Sequence, residues 1–223
     1  MPHLPASLTD RLAQEAARGD MNIDLPVYTQ AGRPPHAPVL LGSGSLGARL
    51  GFFGRDPGRN EVLHGEPFIG KGGQLIRDGL YRAAHGCDAP DIEAAIKVGT
   101  RVFWVNTVPY KPVGNKAWSV PIKRRFLPMI AELLVDHWVG CDLITLGNVA
   151  FDWFGLADPV LKPALADFWS RDDRYSASLE VTLRGKRFRL HPLPHPSPLN
   201  ATWFPRFPGL LDDRLAALGW TGD

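Results

Sequence analysis

The stretch Arg49-Leu50-Gly51-Phe52-Phe53-Gly54-Arg55-Asp56-Pro57-Gly58-Arg59 decides the architecture of this 223-residue chain. Its first half, Arg49 to Phe53, is a short apolar run broken at once by a glycine-bearing polar turn, which reads as a strand and not a helix. The same pattern recurs twice. Val102 to Val105 is followed by Asn106-Thr107-Val108-Pro109, and Leu143 to Leu146 by Gly147-Asn148. Between those two runs Ile122, Phe126, Met129, Ile130, Leu133 and Leu134 recur at helical spacing, opened by Pro121 and closed before Gly140. That spacing gives a helix with one face in the core. Alternating strands and helices mean a parallel or mixed sheet covered by helices. The expected fold is therefore α/β, three layers (α/β/α) around a short, mainly parallel central sheet of about four strands. Ligands of such sheets sit beyond the carboxyl ends of the strands, so the polar turns are the place to look for chemistry.

Downstream, Leu179 to Leu183 and Arg187 to Leu190 alternate with period two around Arg184-Gly185-Lys186 and read as a hairpin. It leads into His191-Pro192-Leu193-Pro194-His195-Pro196-Ser197-Pro198-Leu199. Prolines fix φ and remove backbone donors, so a central strand is expected to stop at Pro192, leaving a stiff loop with His195 at its mouth. Upstream, Ser7 to Arg18 has Leu8, Leu12 and Ala16 on one helical face, and Met21 to Pro38 shows no clear period. Residues 1–38 are thus expected as a helix and connector packed on a domain of residues 39–223. Gly42-Ser43-Gly44-Ser45-Leu46-Gly47 has dinucleotide-site glycine spacing but precedes the first strand, so it reads as a lead-in.

With 44% hydrophobic residues and a formal charge of +2, the chain can bury a sizeable core, and its charge alone does not identify a polyanion partner. No apolar run approaches the roughly 18 residues of a membrane span, and Met1-Pro2-His3 does not open a signal peptide. A cytoplasmic monomer away from membranes is expected. Cys87 and Cys141 are the only cysteines, too few for a disulfide framework or a four-thiolate site. Both are expected to be reduced and at least one buried.

Four motifs in order resemble the uracil-DNA glycosylase superfamily. Gly54-Arg55-Asp56-Pro57-Gly58 looks like a blend of the first motifs of its principal and thermophile-type branches. Gly65-Glu66-Pro67-Phe68-Ile69-Gly70-Lys71-Gly72-Gly73 is similar to the G-x-P-F-V-G-x-x-G stretch of the iron–sulfur branch. Val105-Asn106 matches the strand-end asparagine, and His195-Pro196-Ser197-Pro198-Leu199 is identical to the H-P-S-P-L motif of the principal branch. Two departures stand out. Tyr110-Lys111-Pro112 occupies the place of an iron–sulfur cysteine, so no cluster and no other cofactor is expected. Gly58 stands where the principal branch has a tyrosine that walls off the 5-position of the base, which puts exclusion of thymine in question.

The resemblance implies hydrolysis of the N-glycosidic bond of uracil in DNA, leaving an abasic site. That reaction needs a carboxylate beneath the sugar, to steady an oxocarbenium-like species and orient water, and a donor for the negative charge on the leaving base. The resemblance assigns these parts to Asp56 and His195, and uracil binding to Asn106, Phe68, Arg55 and Gly54. Asn106 suits base selection because one carboxamide offers an acceptor for uracil N3–H and a donor for O4. Phe68 would stack on the flipped base, and Leu199 would wedge into the space it leaves. Contacts to DNA are expected from Ser197, Pro198, Pro57 and Gly58, and from a helix start at Gly72 and Gly73. Lys123, Arg124 and Arg125, with Arg184, Lys186, Arg187 and Arg206, are candidates for an electrostatic track. Alternatives are a broader appetite for deaminated bases, and a binding protein with little turnover. One branch captures uracil-DNA covalently through a histidine after K-R-R-I, whereas Lys123-Arg124-Arg125-Phe126 is followed here by Leu127.

Overall fold

The computed structural model describes residues 5–38 and 43–222; Met1-Pro2-His3, Gly42 and the junction at 38/39 lie at or outside those limits. In chain order the elements are α1 (Ala6–Ala16), α2 (Leu25–Gln30), β1 (Ser43–Gly44), β2 (Leu50–Gly54), α3 (Arg59–His64), α4 (Lys71–His85), α5 (Ile92–Gly99) and β3 (Phe103–Asn106). There follow α6 (Val120–Glu132), β4 (Asp142–Leu146), α7 (Asn148–Phe151), α8 (Trp153–Ala157), α9 (Lys162–Trp169), β5 (Leu179–Leu183), β6 (Lys186–Leu193) and α10 (Phe207–Ala217).

The sheet has six strands in the order β1-β3-β2-β4-β6-β5. Its centre, β3-β2-β4-β6, is parallel, with Gly54 opposite Asn106 and Leu146 opposite Leu193. Both edges are antiparallel. The three apolar runs and both arms of the expected hairpin are five of these strands, and the two-residue β1, in the stretch read as a lead-in, adds a sixth to the expected sheet of about four.

Neighbouring residues on one strand point to opposite faces, and both faces here are apolar because helices cover both. Phe53, Val105 and Leu143 face one core with Leu12 of α1, Phe126 of α6, Trp153 of α8 and Leu165 of α9. Phe52, Trp104 and Ile144 face the other with Leu80 of α4, Val98 of α5 and Leu211 of α10. The result is the three-layer α/β/α arrangement.

Three sequence expectations need correction. β6 does not stop at Pro192 but pairs through it, Thr145 opposite Pro192 and Leu146 opposite Leu193. Arg189 N donates to Cys141 O, directly before β4, so odd-numbered residues of β6 turn their backbone groups toward β4. Pro192 therefore turns its missing donor toward β5, whose pairing ends at Leu179 opposite Leu190, and no ladder bond is lost. The connector contains α2, whose Tyr28 is buried and accepts from Lys111 N at 3.1 Å. Cys87 and Cys141 are both exposed free thiols, so neither is a core residue.

Candidate active site at the carboxyl ends of the strands

The turns after the parallel strands are tied in pairs by hydrogen bonds, β2 to β3 and β4 to β6. Thr107 N donates to Gly54 O at 2.9 Å, Thr107 Oγ1 to Arg55 O at 2.6 Å, and Gly147 N to Leu193 O at 2.8 Å. Gly147, at φ 81°, passes so close to the last loop that a Cβ on it would lie 3.0 Å from His195 Cβ. Asn106, Asp56, Gly147 and His195 thus follow one another along the edge set by β3, β2, β4 and β6, a span of roughly 14 Å at the usual strand spacing.

Asp56 is the anomaly of this crevice. Its side chain is 1% exposed, yet neither carboxylate oxygen has a hydrogen-bond partner. Arg55 Nε stands 3.0 Å from Oδ2, so the two form an ion pair, although the N–H is not aimed at the oxygen as a hydrogen bond would require. Burial pushes the Asp56 pKa up to about 7, with Arg55 and then Lys123 opposing the rise. A buried carboxyl poised near neutrality beyond the end of a parallel strand is a candidate functional group. Asn106 is also buried, with an unpartnered Oδ1. Together Arg55, Asp56 and Asn106 hold four of the nine buried side-chain polar atoms without partners among the described residues.

Phe68 stacks on Trp104, with centroids 5.0 Å apart and planes 28° apart, and Phe52 stacks on the same indole at 4.9 Å. It closes over Gly54: a Cβ there would stand 2.6 Å from the phenyl ring and 3.6 Å from Asn106 Oδ1. Only glycine lets the ring and the carboxamide approach the strand end together. Phe68 sits at φ 49°, an unfavourable conformation for an aromatic residue. Arg77 holds it there. That buried guanidinium donates to Phe68 O at 3.2 Å, Pro67 O at 2.5 Å and Ile96 O at 3.1 Å, and lies over the Trp104 ring.

The motifs did not mark Arg77, Trp104 or Glu61 as parts of this site, because their work is done by close approach in space. Glu61 accepts from Ile69 N at 3.2 Å and Gly70 N at 2.9 Å, placing its carboxylate at the start of α4. Its Oε2 would be 2.5 Å from a Cβ on Gly58, so the absent side chain makes room for Glu61.

The His195 loop braces itself. Ser197 N donates to His195 O at 2.8 Å, Asn200 N to Ser197 O at 2.8 Å, and Leu199 N to Ser197 Oγ at 3.3 Å. The serine hydroxyl keeps its own proton to donate. His195 is exposed at the mouth of the loop, yet desolvation by the protein around it, with Arg55 adding positive charge, pushes its pKa down to about 4. Near neutral pH the imidazole is therefore uncharged and offers one N–H. Leu199 is 96% exposed, an unusual position for a leucine on a rigid loop.

The sequence model of the Uracil DNA glycosylase superfamily matches residues 41–219. The chain belongs to the Uracil DNA glycosylase superfamily. Membership makes it a DNA-processing protein of the glycosylase type, acting in base excision repair on the bond between base and sugar. No described helix is long and apolar enough to cross a membrane.

Within this superfamily member the expected DNA contacts divide. Pro198 and Leu199 are exposed on the loop, and Pro57 is buried at the base of the first turn. Gly72 and Gly73 have another use: a Cβ on Gly72 would lie 1.8 Å from Pro196 O and one on Gly73 1.9 Å from Phe68 O. They let the His195 loop and the Phe68 turn press against α4, whose start is already served by Glu61. Arg125 leaves the expected electrostatic track. It pairs with Glu15 and, at 2.6 Å, with Asp20, tying α6 to the N-terminal helix. Lys186 is likewise engaged, donating to Leu134 O at 2.7 Å and to Trp138 O. Arg124 is exposed, and Lys123 is half-buried close enough to feel both Asp56 and Asp152.

Proposed function

We propose that this superfamily member is a monofunctional uracil-DNA glycosylase, releasing uracil and leaving an abasic site. The observation that carries the reading is the buried Asp56 carboxyl, which no hydrogen bond satisfies, with the Asn106 Oδ1 in the same condition at the adjoining strand end. Polar groups left empty at such cost suit a site filled by substrate. As the bond between C1′ and the base breaks, its electron pair goes to the base and positive charge spreads over the sugar. Ionised Asp56 steadies that charge and takes a proton from the water whose oxygen bonds to C1′. His195, neutral, donates its N–H to the oxygen on which the base's negative charge collects. Asn106 accepts from N3–H and donates to O4, a pattern cytosine does not offer, while Phe68 gives the base a stacking surface. Leu199 fills the gap in the duplex, and the Ser197 hydroxyl donates to a phosphate. One chain supplies every group named, so a monomer suffices.

An oligonucleotide carrying one uracil tests the reading. The expected outcome is strand scission only after hot alkali, with free uracil released and with Asp56→Asn nearly inactive. Turnover by Asp56→Asn at the wild-type rate overturns the assignment, and a denaturant-resistant protein–DNA adduct replaces the enzyme by a trapping protein. Parallel substrates bearing hypoxanthine, thymine mispairs and 5-substituted uracils define the base range left open by Gly58.

A further inference from the structure

A second concavity lies beside the crevice, between the first turn of α6, the α7–α8 corner and α9. Its volume is about 420 Å³, within the range of small-molecule sites. Val149, Trp153, Leu156 and Leu165 give it apolar walls. Its charged groups are Lys123, Arg124, Lys162 and a single carboxylate, Asp152. Three cations against one carboxylate on an apolar wall suit an occupant with a flat apolar body and a negative charge. A phosphate alone has no use for the walls, and an uncharged base has none for the cations. Lys123 joins this groove to the catalytic crevice, since its charge acts on Asp56 as well as on Asp152. α7 begins directly after β4, so Val149 sets one wall of the groove close to the end of the sheet where the strands end.

Resting on the glycosylase reading above, we propose that this groove is a subsite for the nucleotide next to the target on the same DNA strand. Its base lies against Val149 and Leu156, with the buried Trp153 and Leu165 as the floor behind them, and its phosphate meets Lys123, Arg124 and Lys162. A concave pocket admits only a base that has left the stack, so the subsite favours single-stranded or frayed DNA. Asp152 accepts from an N–H on the base edge.

The test uses single-stranded oligonucleotides with one uracil whose 5′ or 3′ neighbour is a normal nucleotide or a tetrahydrofuran abasic analogue. Wild-type protein is compared with Ala166→Trp, a substitution at an exposed position of α9 that fills the groove. Losing the base on one side is expected to raise KM about tenfold in the wild type, the low end of what a bound base contributes, with kcat kept. Ala166→Trp is expected to show the raised KM with every substrate and no dependence on the neighbour. Lys162→Glu, also exposed, gives a second measure, with weaker and less salt-dependent binding of the same oligonucleotides. Indifference of the wild type to both neighbours, or equal sensitivity in Ala166→Trp, overturns the subsite. If no base is released from any substrate, the glycosylase reading falls, and equilibrium binding of the same oligonucleotides judges the groove alone.

Discussion

Replacing Asp56 by asparagine is expected to make the protein more stable and inactive at once. An aspartate in an unfolded chain titrates near 3.8, whereas in the fold burial raises Asp56 to about 7. At about 1.36 kcal/mol per pKa unit, that rise corresponds to about 4 kcal/mol of destabilisation once the group is ionised in both states. Below pH 4 both states hold the proton and the effect vanishes. Between pH 4 and 7 the unfolded chain ionises while the folded protein does not, so wild-type stability falls by about 1.4 kcal/mol per pH unit. Above pH 7 the loss is complete and constant. Asp56→Asn carries no charge, so its advantage over wild type grows through the same window and levels off. For a chain of this size about 4 kcal/mol corresponds to roughly 10 °C in Tm. Denaturant unfolding of both proteins at pH 4.5, 6 and 8 reads the effect directly. Parallel stability curves with a constant difference would refute the claim that burial outweighs the Arg55 ion pair at Asp56.

His195→Ala is expected to slow single-turnover cleavage by about a hundredfold, the loss of one preorganised donor, while DNA affinity measured by anisotropy barely changes. Leu199→Ala leaves thermal stability within about 0.5 kcal/mol because the side chain is exposed, but lowers cleavage of duplex uracil more than of single-stranded uracil. Gly72→Ala drives a methyl group into Pro196 O, so it costs about 1–3 kcal/mol in denaturation and displaces the His195 loop, with cleavage falling in step. Wild-type cleavage rises with pH through about 7 as Asp56 ionises. His195, already neutral above about 4, contributes no falling limb up to pH 9.

The strands were legible because each short apolar run ends in a polar turn, and the two-faced burial of Phe52 and Phe53 follows from helices on both sides. Pro192 misled because the rule against proline in central strands concerns a donor that has a partner to lose, and β5 ends before that donor would be needed. Arg125 misled for a related reason. Three successive cations look alike in sequence, and only the folded chain brings Glu15 and Asp20, more than a hundred residues away, against one of them. The candidate site was legible where a motif sets a polar group just after a strand, as at Asp56 and His195, which the parallel centre of the sheet brings to neighbouring turns. It was not legible where the work is done by what is absent: Gly54, Gly58 and Gly72 act by admitting Phe68, Glu61 and Pro196 at distances no side chain would allow.

The electrostatic order of the crevice ties these parts together. In water an aspartate ionises well below the pH at which a histidine loses its proton, so at mildly acidic pH the pair would be an anion facing a cation. Here the order is reversed, with Asp56 near 7 and His195 near 4, and both displacements arise first from burial. Arg55 then acts on the two in ways that suit the proposed chemistry. Its charge favours the ionised form of Asp56 and disfavours the protonated form of His195. The carboxylate is thereby available at neutral pH to face a cationic sugar, while the imidazole stays a neutral donor that can steady a departing anion without first carrying a charge of its own. Backbone phosphates of bound DNA would press in the opposite direction, disfavouring the Asp56 anion. Lys123, set between Asp56 and the neighbouring groove, is placed to offset that pressure where the strand enters.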